Sequence, residues 1–373
     1  MRQNDYQLEE LLERKPILLD KTSIFSQISR KTILITGAAG SIGSELVRQV
    51  INFGPNAIVL VDNSETPLYL LMLEIQAMAP NAVFYAELAS VNDEVAMEAI
   101  FKLYAPDVVY HAAAYKHVQM MEEAPRQSVM VNVFGTKIIA DLVAKYGVGT
   151  FVMISTDKAV NPANVMGASK LIAEKYVAAL HNSLLKKTPE LKTKYLITRF
   201  GNVLGSNGSV VPVIKKQIED GGPVTVTHPD IMRFFMTVKE ACQLVLEAGA
   251  MGKGGEVYVF DMGKQVKITD LVARMIQMAG FRPEEDIQIR YVGLRQGEKL
   301  YEELVSEASS MLPTHNKNIM ISTEQPRDMD ELAFQLDKLQ DLININDKMA
   351  IVRQMKVILP EFVSANSRYE ELD

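Results

Sequence analysis

The sequence is poor in residues that several classes of function require. Cys242 is the only cysteine among 373 residues, so neither an internal disulfide nor a multi-cysteine metal site can form, and a reducing compartment suits the chain. There are five histidines, and His228, His315 and the rest show no short metal-ligand spacing, so no metal is expected. Positive charge is short as well. Lys and Arg number 39 against 46 Asp and Glu, a formal net charge of -7, and no basic run is interleaved with aromatics, so a nucleic-acid partner is not expected. No apolar run approaches the roughly 18 residues a membrane helix needs. The start, MRQNDYQLEELLERK, lacks the pattern of a secretory signal. These absences predict a cytoplasmic body with no membrane insertion by this chain.

What is present is enough apolar residue, 48% of the chain, to bury a full core, in two lobes. Residues 1–30 read as a helical lead-in (LEELLER, then PILLD) that either packs on the main body or leads in from a preceding segment. From Lys31 apolar strands alternate with helices: TILIT, a helix through SELVRQVINFG, AIVLVD, a helix from about Pro67 to Met78, AVFYAE, a helix through DEVAMEAIFKLY, DVVYHAA, a helix over 126–146, TFVMIS, a helix from Gly167, and YLITRF. That alternation predicts an α/β fold, a Rossmann-like doubly wound parallel sheet over 31–199. Residues 200–345 read as a mixed region forming most of a smaller substrate-binding lobe, with 239–270 returning to the main domain and 346–373 a final helix and tail.

Ligands of such sheets bind beyond the carboxyl ends of the strands. TGAAGSIG sets Gly37, Gly40 and Gly43 between a strand and a helix. Glycines there allow unusual backbone angles and let a pyrophosphate approach the helix amides; a turn needed only by packing would look similar. Ala39, Ser41 and Ile42 share this turn. Asp62, 25 residues after Gly37, can accept both adenosine-ribose hydroxyls and would repel a 2′-phosphate, which favours NAD over NADP; it could instead cap the turn DNSE, which also holds Asn63. Glu87, followed by Leu88, could approach the adenine edge or lie in a solvated loop. Ala112 and Ala113 leave room for the nicotinamide half, although close packing predicts the same residues.

ISTDKAVNPANVMGASK places Thr156, Asp157 and Lys158 at a strand end and Lys170 on the next helix. An Asp-Lys pair offers one group to take a carbon-bound proton made acidic by a ketone and another to protonate a departing hydroxyl. A structural ion pair would look the same.

GAAGSIGSEL, DNSE, HAAAYKHV, STDKAVNPANVMGASK, RFGNVLGSNGSVVP, MRFFMTVKEA and LRQGEKLYEEL together resemble the nucleotide-sugar 4,6-dehydratases of the extended short-chain dehydrogenase/reductase family, especially the bacterial polysaccharide-biosynthesis branch acting on UDP-N-acetylglucosamine. The resemblance covers about residues 12–340. It implies NAD that is used and regenerated: hydride leaves sugar C4, water is lost across C5 and C6, and hydride returns at C6. By the same resemblance Lys158 is the C5 base, Asp157 the acid at the C6 hydroxyl, Thr156 a partner of the C4 oxygen, and Lys170 the holder of the nicotinamide ribose. Many relatives carry a tyrosine where this chain has Met166, and a thioether cannot take the C4 hydroxyl proton. The family's methionine-containing branch resembles the dehydratases that retain configuration at C5, and leaves Lys170, Asp157 through a relay, or a water as the C4 base. Met166 also has a plain packing role open to it.

On the sugar-nucleotide side the expected contacts are Lys116 and His117, Asn132, Arg199, Asn202, Val210, Arg233, Arg295 and Glu298. Separated arginines suit an anionic diphosphate because each guanidinium offers several directed donors, whereas any one of them could be a surface ion pair. Asn132 could hold a neighbouring backbone or simply be satisfied within its helix. The LRQGEKL motif has Gln296 where the commoner family form has proline. Family resemblance also suggests a homo-oligomer built partly from sheet-flanking helices. Two other functions fit much of the pattern: a UDP-sugar 4-epimerase, and a non-catalytic dinucleotide-binding sensor or scaffold.

Overall fold

A computed structural model describes residues 19–306, 309–324 and 327–373; the LEELLER helical pattern lies outside the described residues. Apolar β-branched runs form the middle of the sheet. The strands β1 (Thr32–Thr36), β2 (Ala57–Asp62), β3 (Phe84–Leu88), β4 (Val108–His111), β5 (Thr150–Ile154) and β6 (Lys194–Arg199) lie parallel, and β11 (Val257–Phe260) joins beside β6. Most of their central residues are fully buried on both faces, as parallel strands covered by helices must be. One apolar core fills each face of the sheet.

The covering helices include α1 (Lys21–Ile28), α2 (Ser41–Ile51), α3 (Glu65–Met78), α4 (Glu94–Tyr104), α5 (Val118–Glu123), α6 (Pro125–Lys145) and α7 (Val165–Lys187). By length and composition alone α6 is apolar enough to cross a membrane, but 61% of its most apolar window is buried within this fold, as expected of a core helix. That corrects the expectation that no segment passes such a test. Within α6 the turn Val129–Gly135 is π-helical, a widened turn that often sits at functional sites.

The chain leaves the sheet after β6 to form β7 (Asn202–Leu204), α8 (Val210–Glu219), β8 (Val224–Val226), β9 (Met232–Arg233) and β10 (Phe235–Thr237), returns through α9 (Val238–Met251) and β11, then leaves again through β12 (Val266–Lys267), α10 (Ile268–Met278) and β13 (Ile289–Tyr291). Parallel β8–β13 and antiparallel β9–β12 pairs knit the two excursions into one small lobe with its own core around Ile214, Val224, Phe235 and Val272. The structure differs from the expected lobe in its later part. The hairpin β14 (Ser310–Pro313) and β15 (Ile319–Thr323) extends the main sheet antiparallel to β11. Helices α11 (Met329–Ile345) and α12 (Lys348–Ile358) pack their apolar faces, Leu332, Leu336, Ile351 and Met355 among them, into the core beneath α7. Most of residues 310–345 therefore buttresses the sheet instead of building the small lobe.

Candidate active site

The glycine turn after β1 is required sterically. Gly37 has φ +64°, and a Cβ there would lie 2.7 Å from the Ala113 nitrogen; a Cβ on Gly43 would lie 2.0 Å from the Gly37 oxygen. Both clashes are with backbone, so a larger residue at 37 would force the turn away from the β4 loop and one at 43 would force α2 away from the turn. Gly40 precedes α2 without a side-chain cap, leaving first-turn amides available to an anion. Asp62 does cap its turn, since Oδ1 accepts from the Ser64 amide (2.9 Å), while Oδ2 accepts from Ala39 (2.9 Å). Two bonds leave a carboxylate with further acceptor directions, so capping and ribose binding are compatible. The cavity here, ≈ 310 Å³, is lined by Gly37, Gly40, Asp62, Asn63, Ala113 and Asn207 among others.

Asn207 reaches this cavity from the small lobe, its amide donating to Ser41 Oγ at 3.0 Å. Sequence reading missed it, together with Ser90 and Val91, which line the cavity after β3. Glu87 instead accepts from the Tyr104 hydroxyl at 2.5 Å, Leu88 points largely to solvent, and Ile42 packs beside the second core. None of these three lines the cavity.

Beyond β5 the chain turns through a 3-10 segment, Asp157–Ala159, before Asn164 caps α7 through the Gly167 amide (2.8 Å). A Cβ on Gly167 would sit 2.1 Å from the Lys158 oxygen, so that glycine allows the helix to lie against the turn. Asp157 is 1% exposed. Its Oδ1 accepts from Thr156 Oγ1 (2.9 Å) and Lys158 Nζ (3.1 Å), whereas Oδ2 has no partner among the described residues. Gly201 leaves space beside that oxygen, since a Cβ there would lie 2.9 Å from it.

Lys158 Nζ also donates to Asn202 Oδ1 (3.1 Å) and lies 3.5 Å from Glu302. Burial opposes its charge, but Asp157 and Glu302 outweigh burial and raise its pKa overall. The resting group is an ammonium. Lys170, one turn beyond buried Met166, is 4% exposed with Nζ unpartnered among the described residues. Burial brings it down to about 8 although Glu174 acts in the opposite direction. Burial, and then Lys170, push His111 down to about 3. His111 is therefore neutral: its Nδ1 pairs with Thr36 Oγ1 (2.8 Å) and its Nε2 with Thr136 Oγ1 (2.9 Å). Because the Thr136 hydroxyl donates to the Asn132 oxygen (2.7 Å), it must accept from Nε2, which assigns the ring proton to that nitrogen.

The small lobe supplies a second charged group. Buried Arg233 donates to Glu298 (3.2 Å), to the Leu300 oxygen (3.2 Å) and to the Met232 oxygen (2.8 Å), and its Nε lies 3.7 Å from Glu302. Glu298 Oε2 accepts from the Arg295 amide at 3.1 Å, and the Arg295 side chain is exposed. Glu302, 6% exposed between Lys158 and Arg233, was missed because nothing local to LYEEL distinguishes it from its neighbours. His117 stands over the loop before α8: a Cβ on Gly208 would come 2.8 Å from its ring. Lys116 adjoins it, exposed, and Val210 opens α8, whose cap Ser209 makes no side-chain bond to the helix.

Two expected substrate contacts are engaged elsewhere. Arg199, 2% exposed, pairs through its guanidinium with Glu174 and Glu324, between sheet and α7, and has no free face for a diphosphate. Asn132, in the π-helical turn, accepts from the Tyr115 amide (2.8 Å) and donates to the Tyr115 oxygen (3.0 Å) and Ser169 Oγ (2.9 Å). Both amide protons are used, so it positions the β4 loop, the backbone-holding alternative for this residue. Among the described residues no group of three or more metal-ligating side chains forms a metal site.

Residues 33–324 match the model of a family described as polysaccharide biosynthesis protein. Among relatives, the probable polysaccharide biosynthesis protein EpsC of Bacillus subtilis is 48% identical over 81% of this chain and 50% of its own length, so the chain spans about half of that relative. Two others share 32% identity: the inverting UDP-N-acetylglucosamine 4,6-dehydratase of Campylobacter jejuni, over 78% of this chain and 82% of that one, and the UDP-glucose 4-epimerase of Rickettsia canadensis, over 74% and 78%. The X-ray structure of Pen from Bacillus thuringiensis superimposes with TM-score 0.71 at 29% identity, covering 80% of this chain and 90% of that one.

Proposed function

Because the chain belongs to the polysaccharide biosynthesis protein family, in the dehydratase and epimerase branch of the extended short-chain dehydrogenases/reductases, we propose that it removes water from UDP-N-acetylglucosamine. The product is a UDP-4-keto-6-deoxy-N-acetylhexosamine with C5 configuration retained, and the cofactor is NAD. The observation that supports elimination over epimerisation is the buried Asp157–Lys158 pair with one carboxylate oxygen unpartnered among the described residues. A 4-epimerase returns hydride to C4 and needs no acid and base at C6 and C5.

The glycine cradle, its uncapped helix amides and Asp62 fit a dinucleotide with an unmodified adenosine ribose. When bound, such a cofactor supplies the hydride acceptor for C4 and the donor for C6. Thr156 would orient the C4 oxygen. Lys170 fits acceptance of the C4 hydroxyl proton, because burial brings its pKa down to about 8, nearer neutrality than an ordinary lysine, and the Met166 thioether cannot take that proton.

For the elimination, Lys158 passes a proton to Asp157 across their 3.1 Å contact. The resulting amine takes the C5 proton, and Asp157 delivers its proton to the C6 hydroxyl, which leaves as water. The pair is then ammonium and carboxylate, and when C6 is reduced the Lys158 ammonium, its protons exchanged with solvent, would return a proton to C5 from the same face and regain one from solvent. Between an ordinary lysine and an ordinary aspartate in water that first transfer costs about 9 kcal/mol. A substrate that excludes water lowers this cost by penalising both charged forms. Arg233, Arg295 and Glu298, with His117, Lys116 and the start of α8, would receive the UDP moiety, and Asn202 and Glu302 would hold Lys158 in place.

Incubating the protein with NAD and UDP-N-acetylglucosamine should produce a C6 methyl signal and a 4-keto sugar with no net NADH. Recovery of the C4 epimer alone would assign the chain to the epimerases, and NAD binding without any turnover would favour a sensor.

A further inference from the structure

Residues 364–369 lie beyond the stretch matched by the family model, 33–324, yet they touch both walls of the sugar-nucleotide side. The Ala365 amide donates to the Ala163 oxygen (3.0 Å), just before α7, and the Ala365 oxygen accepts from the Gly297 amide (2.8 Å). Next to it, Asn366 Nδ2 donates to the Glu298 oxygen (3.2 Å). One residue is thus inserted between the loop that leads to Lys170 and the loop that carries Arg295 and Glu298. The two loops also meet directly, since Asn164, the cap of α7, donates to the Gly297 oxygen at 2.9 Å. Gly297 has φ +72°, and a Cβ there would lie 2.6 Å from Asn164 Cβ.

The anchor of this segment is Glu122, a fully buried carboxylate at the end of α5. Its Oε1 accepts from the amide of Val165, the first residue of α7 (2.7 Å), and its Oε2 accepts from Ser367 Oγ. Buried Tyr369 donates from its hydroxyl to the Glu122 main-chain oxygen at 3.0 Å. A buried carboxylate is costly unless it is well bonded, so this junction holds 364–369 in one register and ties that register to the α7 N-terminus.

We propose that residues 364–369, anchored on Glu122, are a positioning strap that sets the Arg295–Glu298 loop against the α7 N-terminus and so governs capture of the nucleotide sugar. The inference rests on reading the 295–298 loop as part of the UDP-sugar site. No bond of the strap reaches the glycine cradle or Asp62 among the described residues, so the two ligands should respond separately. In the double variant Asn366→Ala and Ser367→Ala, which removes the side-chain bonds to the Glu298 oxygen and to Glu122, affinity for UDP measured by calorimetry should fall about tenfold, about 1.4 kcal/mol. NAD affinity should stay within about twofold of wild type, and amide exchange should quicken at residues 295–298. Glu122→Ala should exceed the double variant, whereas Glu122→Gln, which can still accept from Val165 and donate to Ser367, should recover most of the affinity.

Equal UDP affinity in wild type and double variant would overturn the strap, as would a parallel loss of UDP and NAD binding, which marks a general loss of structure. Failure of the wild-type protein to bind UDP at all would overturn the underlying reading of the loop, and with it the strap's assigned role.

Discussion

Lys158 and Lys170 occupy one site under opposite electrostatics. Two carboxylates raise the pKa of the first, while burial, with no partner for Nζ among the described residues, lowers that of the second. Replacing Glu302 by Gln removes one of the charges that hold Lys158 cationic, so its pKa should fall. The midpoint of Lys158 acylation by acetic anhydride, followed by mass spectrometry against pH, should move down accordingly, and with it the falling limb of kcat, where the pair loses the proton it gives to the C6 hydroxyl; an unchanged or higher midpoint would remove Glu302 from this role. Lys170 carries a stability cost. Its pKa drops from 10.5 to about 8 on folding, so between those values the unfolded chain binds the extra proton and stability rises with pH. Below about 8 the full penalty, about 3 kcal/mol, is present. Lys170→Met should therefore raise unfolding free energy at pH 7 and flatten the profile from pH 8 to 10.5 in denaturant titrations, while abolishing turnover. Such an exchange of function for stability is expected where a buried ion is retained.

At the scale of elements, β6 and α7 are joined by the Arg199–Glu174 pair, both residues 2% exposed. Arg199→Met should destabilise the fold by about 3–5 kcal/mol, because it strands a buried carboxylate, and Arg199→Met with Glu174→Met should recover much of that loss in urea unfolding. In the sequence Arg199 looks like a substrate contact because a basic residue at a strand's carboxyl end fits either role; Glu324, its second partner, lies 125 residues away. The same distance hid the β14–β15 hairpin, which pairs with a strand some 60 residues earlier and leaves no βα alternation in the sequence. By contrast, β1, β2 and β4 to β6 were legible because each is a short buried apolar run beside a helix, and the half-exposed β3 because it falls in turn between two helices. Gly37, Asp62, Thr156, Asp157 and Lys158 followed from their places at strand ends.

For the whole molecule, the site is a junction. The parallel sheet supplies the glycine cradle and the Thr156–Lys158 turn, the small lobe brings Arg233, Glu298 and Glu302, and Asn207 from that lobe bonds to the first turn of α2. Local patterning predicted the sheet half. The lobe half was legible only as motifs, because Glu302 and residues 364–369 take their meaning from partners distant in sequence. The central claim is that this junction performs an elimination, in which Lys158 removes the C5 proton and solvent replaces it. Its most direct test is NMR of the product formed from UDP-N-acetylglucosamine in deuterated water. The account predicts one deuterium at C5, a C6 methyl group and retained C5 configuration; a product still carrying its original C5 proton would contradict it.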